Sequence, residues 1–82
     1  VFIGISTSGR SPNILAALRQ ARVMGITTVG LTGQTGGQLS ADCDYCLQVP
    51  SKDTARIQEA HILLGHILCG LVERELFPAD PP

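Results

Sequence analysis

A chain of 82 residues has room for one small domain, which buries only a little over ~60% of its unfolded surface. It is 44% hydrophobic and 16% charged, with a mean hydropathy of +0.23, which excludes a disordered acidic tail. Six Lys and Arg against seven Asp and Glu leave a net charge of −1, and the aromatics are Phe2, Tyr45 and Phe77, so neither a basic nucleic-acid face nor a stacking platform is supplied.

The chain opens Val-Phe-Ile-Gly-Ile with no initiator methionine, which reads as the interior of a larger protein cut at the edge of a strand. The expectation is an incomplete domain, with residues 1–77 the C-terminal portion of a single domain and 78–82 a tail. Val1–Ile5 is a short apolar run of the kind that makes a buried parallel strand. A tract of small polar residues follows, Ser6-Thr7-Ser8-Gly9-Arg10-Ser11. Pro12 and then Asn13–Met24, with apolar residues at Ile14, Leu15, Leu18 and Ala21, have helical spacing. Ser11 reads as a hydroxyl N-cap, Pro12 as the first helical residue and Gly25 as the stop. Ile26–Leu31 reads as a second strand, Thr32–Gly37 as a glycine-rich turn, and Gln38–Cys43 as about one helical turn. Tyr45–Val49 reads as a third strand ended by Pro50, with 51–54 as a loop. Ala55–Leu76 runs on as one long helix closed by Phe77-Pro78. The order β-α-β-(turn)-β-α belongs to the doubly wound α/β class with a parallel sheet.

On a helical wheel Ile57, Ala60, Leu64, Ile67, Leu68 and Leu71 form one apolar stripe, while Gln58, Ile62, His66, Cys69 and Glu73 form a strip on roughly the opposite side. A helix apolar on both sides is expected to lie between the sheet and a neighbouring subunit. The longest apolar run, Ile62–Val72, is too short to cross a bilayer.

The serine-rich tract is the most informative stretch. It joins a strand to a helix start, where unpaired amides and the helix dipole favour an anion. Hydroxyls at Ser6, Ser8 and Ser11 can donate to phosphate oxygens, and Gly9 allows close backbone approach. A plain turn with an ordinary N-cap is the simpler alternative. The tract is neither a P-loop nor a dinucleotide fingerprint, so a mononucleotide or a sugar phosphate suits it better. The glycines of Thr32–Gly37 read as devices for positive φ. His61 and His66 are ~140° apart around the helix and do not readily chelate one ion together, whereas Gln58 and His66, about 12 Å apart in rise, can reach toward one ligand. His66 is the one ionisable group in an apolar run, where burial can tune it for acid–base work; His61 reads as mainly structural. Cys43, Cys46 and Cys69 are an odd number with a single C-x-x-C, so reduced buried thiols are expected rather than a metal or redox site.

Ile-Ser-Thr-Ser-Gly-Arg-Ser, Leu-Thr-Gly-x-x-Gly-Gly and Val-Pro-Ser-x-Asp-Thr-Ala-Arg-Ile-Gln-Glu-Ala-His-Ile together resemble the sugar isomerase (SIS) superfamily, and within it the phosphoheptose isomerase family, over Val1 to about Phe77. The resemblance implies a Rossmann-like SIS fold with a five-stranded sheet, of which this chain holds an incomplete β-α-β-β-α part, a homotetramer and active sites at subunit interfaces; the reduced thiols point to the cytoplasm. It implies phosphate contacts from Ser6, Thr7, Ser8 and Ser11, contact of Gln58 with substrate and a zinc ion, and a zinc-ligand or acid–base role for His66. The family's remaining zinc ligands lie outside this chain. Arg10 stands where many members carry Asn, either adding a bond to phosphate or pointing to solvent. The implied chemistry is an aldose–ketose isomerisation of sedoheptulose 7-phosphate to D-glycero-D-manno-heptose 7-phosphate, feeding bacterial heptose and lipopolysaccharide-core synthesis. Two alternatives stay open: a non-enzymatic relative that binds the replication initiator DnaA, similar in Ala55–Glu59 and the Leu-Phe-Pro ending but lacking a histidine at position 66, and a sugar-phosphate-sensing regulator.

Overall fold

Short β-branched runs alternate with helices whose ends carry proline, aspartate or glycine. In the computed structural model, which describes residues 1–78, they become β1 (Phe2–Ile5), α1 (Pro12–Val23), β2 (Thr28–Thr32), α2 (Gly37–Asp42), β3 (Tyr45–Gln48) and α3 (Thr54–Leu76). The expected tail falls almost wholly on 79–82, outside the described residues. The strands are all parallel and lie side by side in chain order, with Phe2 opposite Thr28, Ile5 opposite Leu31, Val29 opposite Tyr45 and Thr32 opposite Gln48. Parallel neighbours require a crossover, and α1 and α2 lie in the two connections.

Gly4 and Gly30 are register partners and share a face of the sheet. A Cβ on Gly4 would meet Ile14 of α1 and one on Gly30 would meet Leu39 of α2, so both helices cover that face. Ile5 points the other way and lines a hollow with Gln58, His61, Ile62 and Gly65, which places α3 on the opposite face. The architecture is the three-layer, doubly wound α/β class read from the sequence. Its buried apolar centre is Leu18, Ala21, Leu31, Leu39 and Ile57, with each Leu or Ile contributing about 1.5–3 kcal/mol.

The helix ends explain the shifted boundaries. Gly25 (φ 73°) donates to Arg22 O at 3.0 Å and Ile26 to Ala21 O at 2.9 Å, a Schellman closure that consumes Ile26 and delays β2 to Thr28. At the next junction the buried Thr28 is clasped by Asp44, whose carboxylate accepts from Thr28 N at 2.8 Å and from its Oγ1 at 3.0 Å. Arg22 sits 3.5 Å from the same carboxylate. Asp53 caps α3 by accepting from Ala55 N at 3.0 Å, so the helix starts one residue earlier than its apolar pattern. Ile57 and His61 are the buried residues of α3, and Ala60, Leu64, Gly65 and Leu68 are half-buried. Ile67 and Leu71, read in one apolar stripe with Ile57, are exposed, and every described residue from Cys69 onward is exposed because the helix has passed the end of the sheet.

Main-chain hydrogen bonds join the turns at the C-terminal edge of the sheet. Gly33 N donates to Thr7 O at 3.0 Å, Leu39 N to Gly9 O at 3.0 Å, and Gln34 N to Ser51 O at 3.1 Å. The first two turns touch backbone to backbone: Gly9 has φ 70°, and a Cβ there would collide with the Gly36 carbonyl.

Two outcomes follow for the full-length protein under chemical denaturation. Gly9→Ala combines a left-handed backbone with a main-chain collision and is expected to cost about 2 kcal/mol or more, whereas Gly25→Ala, also at positive φ but with nothing within 4 Å, is expected to cost about 1 kcal/mol. Equal losses would show that the contact between turns carries no weight. The hydrogen bonds from Thr28, aided by Arg22, hold the Asp44 carboxyl below its ordinary 3.8. Its contribution to stability is therefore complete above that unfolded-state value and vanishes as pH falls through the lower folded one. Asp44→Asn is expected to lower the denaturation midpoint at neutral pH and to flatten the acid limb of the stability–pH curve.

Candidate functional site

The ends of all three parallel strands deliver loops to the same edge of the sheet, where doubly wound folds place their ligands. The loops enclose a cavity of about 300 Å³ lined by Thr7 and Ser8 after β1, Gln34 and Thr35 after β2, and Ser51, Lys52, Thr54 and Ile57 around the start of α3. The lining side chains are those of three threonines, two serines, a glutamine, a lysine and an isoleucine, with no aspartate or glutamate among the described lining residues. That lining suits an anion with many acceptor oxygens.

The serine tract divides its labour. Thr7 and Ser8 reach the cavity; Ser6 and Ser11 do not line it. Ser6 is 5% exposed, accepts from Gly9 N at 3.1 Å, and its Oγ lies 2.8 Å from Ser11 Oγ. Ser11 occupies the N-cap position as read, but its hydroxyl faces Ser6 instead of the helix amides. The amides of Asn13 and Ile14 therefore keep no intrahelical partner, as an anion-receiving helix start requires. Ser8 Oγ accepts from Arg10 N at 3.1 Å, which shapes the turn around the hydroxyl; Arg10 is exposed and does not line the cavity. In the second turn Gly36 and Gly37 have φ 70° and 58°, the conformational role read for them.

The remaining residues singled out lie on α3. Gln58 is exposed and borders a second, more apolar hollow of about 420 Å³ with Ile5, His61, Ile62 and Gly65. His66 is exposed rather than buried, since it lies where α3 is leaving the sheet, and it does not line that hollow. Eight residues place it ~80° around the helix from Gln58, so the two converge only on a ligand that reaches across from one flank. His61 is 4% exposed, with Nε2 2.9 Å from Thr32 O; a carbonyl only accepts, so Nε2 carries the proton and ties α3 to the end of β2. Among the described residues no group of three or more His, Cys, Asp or Glu is placed to hold a metal. The three cysteines are free; burial pushes the Cys43 thiol up, and it donates to Tyr45 O at 3.0 Å. Gln34, Thr35, Ser51, Lys52 and Thr54 were not singled out in the sequence. The pairing of β2 with β3, the Val49 N to Thr32 O bond and the Gln34 N to Ser51 O bond bring these two loops into register, and no local pattern reports it.

Known proteins resemble this chain in sequence and fold. The SIS domain model matches residues 1–65. The chain is 60% identical over 77 residues to the phosphoheptose isomerase of Aneurinibacillus thermoaerophilus, covering 94% of this chain and 39% of that protein. It superposes on the phosphoheptose isomerase of Neisseria gonorrhoeae with a TM-score of 0.80 and 45% identity, covering 85% of this chain and 40% of that one. With the phosphoheptose isomerase of Francisella tularensis the TM-score is 0.83 at 40% identity, covering 88% of this chain and 39% of that one. The chain thus spans about 39% of the length of the curated relatives it matches.

Proposed function

The chain belongs to the SIS domain family, and from that premise we propose that the full-length protein is a sugar phosphate isomerase. The observation that carries the reading is the cavity where three strand-end loops meet, lined with hydroxyls and one cation and with no carboxylate. The finer reading is phosphoheptose isomerase chemistry: interconversion of sedoheptulose 7-phosphate and D-glycero-D-manno-heptose 7-phosphate in bacterial heptose and lipopolysaccharide-core synthesis. The high identity to relatives of that name supports it.

In this reading Thr7 and Ser8 donate to the phosphate, Ser6 and Ser11 support the turn from behind, and the positive end of α1 adds a favourable field for the anion. Anchoring the phosphate fixes the sugar chain, so its carbonyl end is presented along α3. There Gln58 offers an amide oxygen and nitrogen to the sugar, and His66 moves the proton between adjacent carbons. Alternatively, Gln58 and His66 supply an oxygen and a nitrogen donor, two compatible ligands of an incomplete set, and a zinc ion held there would polarise the substrate carbonyl, with His66 then a ligand instead of the proton carrier. The other ligands would come from outside this chain. The apolar residues left exposed on the outer half of α3, Ile67, Leu71 and Val72 among them, support assembly as a homotetramer. Among the described residues no helix is long and apolar enough to cross a membrane; the proposed location is cytoplasmic.

The test is turnover of sedoheptulose 7-phosphate by the full-length protein with zinc supplied. Ser8→Ala is expected to weaken sugar-phosphate binding by about 1.5–3 kcal/mol. His66→Asn is expected to cut turnover ~10²-fold or more while leaving phosphate binding and assembly largely intact. An unmodified protein that binds the sugar phosphate without isomerising it would transfer the assignment to a binding or sensing role.

A further inference from the structure

Hydroxyls and helix-start amides favour an anion, and a fixed positive charge strengthens that preference for a phosphorylated over a neutral sugar. Among the described residues that line this cavity, Lys52 is the one with a fixed positive charge. Its neighbours hold the main chain on both sides. Ser51 O accepts from Gln34 N at 3.1 Å, Ser51 Oγ accepts from Asp53 N at 3.0 Å, and Asp53 is itself engaged as the cap of α3. The ion pairs among the described residues are Arg22 with Asp44 and Arg56 with Glu59, neither of which involves Lys52. The nearest acid in sequence, Asp53, turns its carboxylate to the amide of Ala55, and no carboxylate lines the cavity. A lysine on an anchored loop, lining a cavity with five hydroxyl-bearing residues and no acid among the described lining residues, suits the capture of an anion.

The geometry points to Lys52 as the residue that selects a phosphorylated ligand in this cavity, its ammonium meeting the anion from the α3 side while Thr7 and Ser8 meet it from the β1 side. The inference rests on the sugar-phosphate reading of the same site and adds to it the residue that reads charge. Lys52 contributes to binding and not to proton transfer, so its loss raises KM by a larger factor than it lowers kcat.

The experiment is calorimetric titration of the full-length protein and its Lys52→Met and Lys52→Arg variants with inorganic phosphate, at two ionic strengths, beside KM and kcat for sedoheptulose 7-phosphate. Lys52→Met is expected to bind phosphate about 10-fold more weakly or worse, with a flatter salt dependence, and Lys52→Arg to recover most of the affinity. Unchanged phosphate affinity in Lys52→Met, in a protein that still isomerises the sugar phosphate, overturns the role of Lys52 and leaves the isomerase reading standing. Phosphate binding that depends on Lys52 in a protein that isomerises nothing supports Lys52 and overturns the isomerase reading. A parent protein that binds no phosphate overturns both.

Discussion

The contact between Gly9 and the Gly36–Gly37 peptide is the constraint on which the rest of this molecule depends. Two main chains can touch this closely only where neither carries a side chain, and the left-handed φ values at all three positions exclude most residues on conformational grounds as well. Once the turns touch, Thr7 O and Gly9 O meet Gly33 N and Leu39 N, and the ends of β1 and β2 are held at one height. The loop before α3 then joins through Gln34 and Ser51. The cavity is a by-product of this joinery: its walls are whatever side chains project from three loops whose backbones are already committed to one another.

That dependence explains which parts of the molecule were legible in the sequence. The strand runs, the stop at Gly25, the glycine role of the second turn and the doubly wound order all rest on local chemistry, and each is visible in a window of a few residues. The hydroxyl of Ser11 was legible as a cap and not as the partner of Ser6, because a cap is a neighbour relation while the pairing requires the whole turn to curl back. Asp44 gave no signal of its own, since its clasp on Thr28 exists only after β3 has been laid beside β2. Lys52 sits in an unremarked loop for the same reason. The helical wheel grouped Ile57 with Ala60, Leu64 and Leu68, which are buried or half-buried, but it left out the buried His61 and carried the stripe to the exposed Ile67 and Leu71, because a wheel carries no information about where the sheet ends.

His61 shows how a residue type misleads when read alone. A histidine near a candidate site invites a chemical role, yet this one has its Nε2–H committed to the carbonyl of Thr32, with almost no exposure. It holds the helix at the register that turns Ile57 toward one hollow and Gln58 toward the other. His66, further along the helix, is exposed, and what distinguishes the pair is burial.

The mismatch in length between α3 and the sheet divides the helix into unequal partners. Strands of four or five residues are about 13–17 Å long. A helix of 23 residues is about 34 Å long. Its first turns share their fate with the sheet through Ile57 and His61, and they can open only when the domain opens. The stretch beyond Leu68 has no such anchor among the described residues, and its amides can exchange with solvent by local fraying while the sheet stays intact. One continuous helix therefore belongs to two cooperative units, and whatever packs against the outer unit gains control over its opening without touching the sheet.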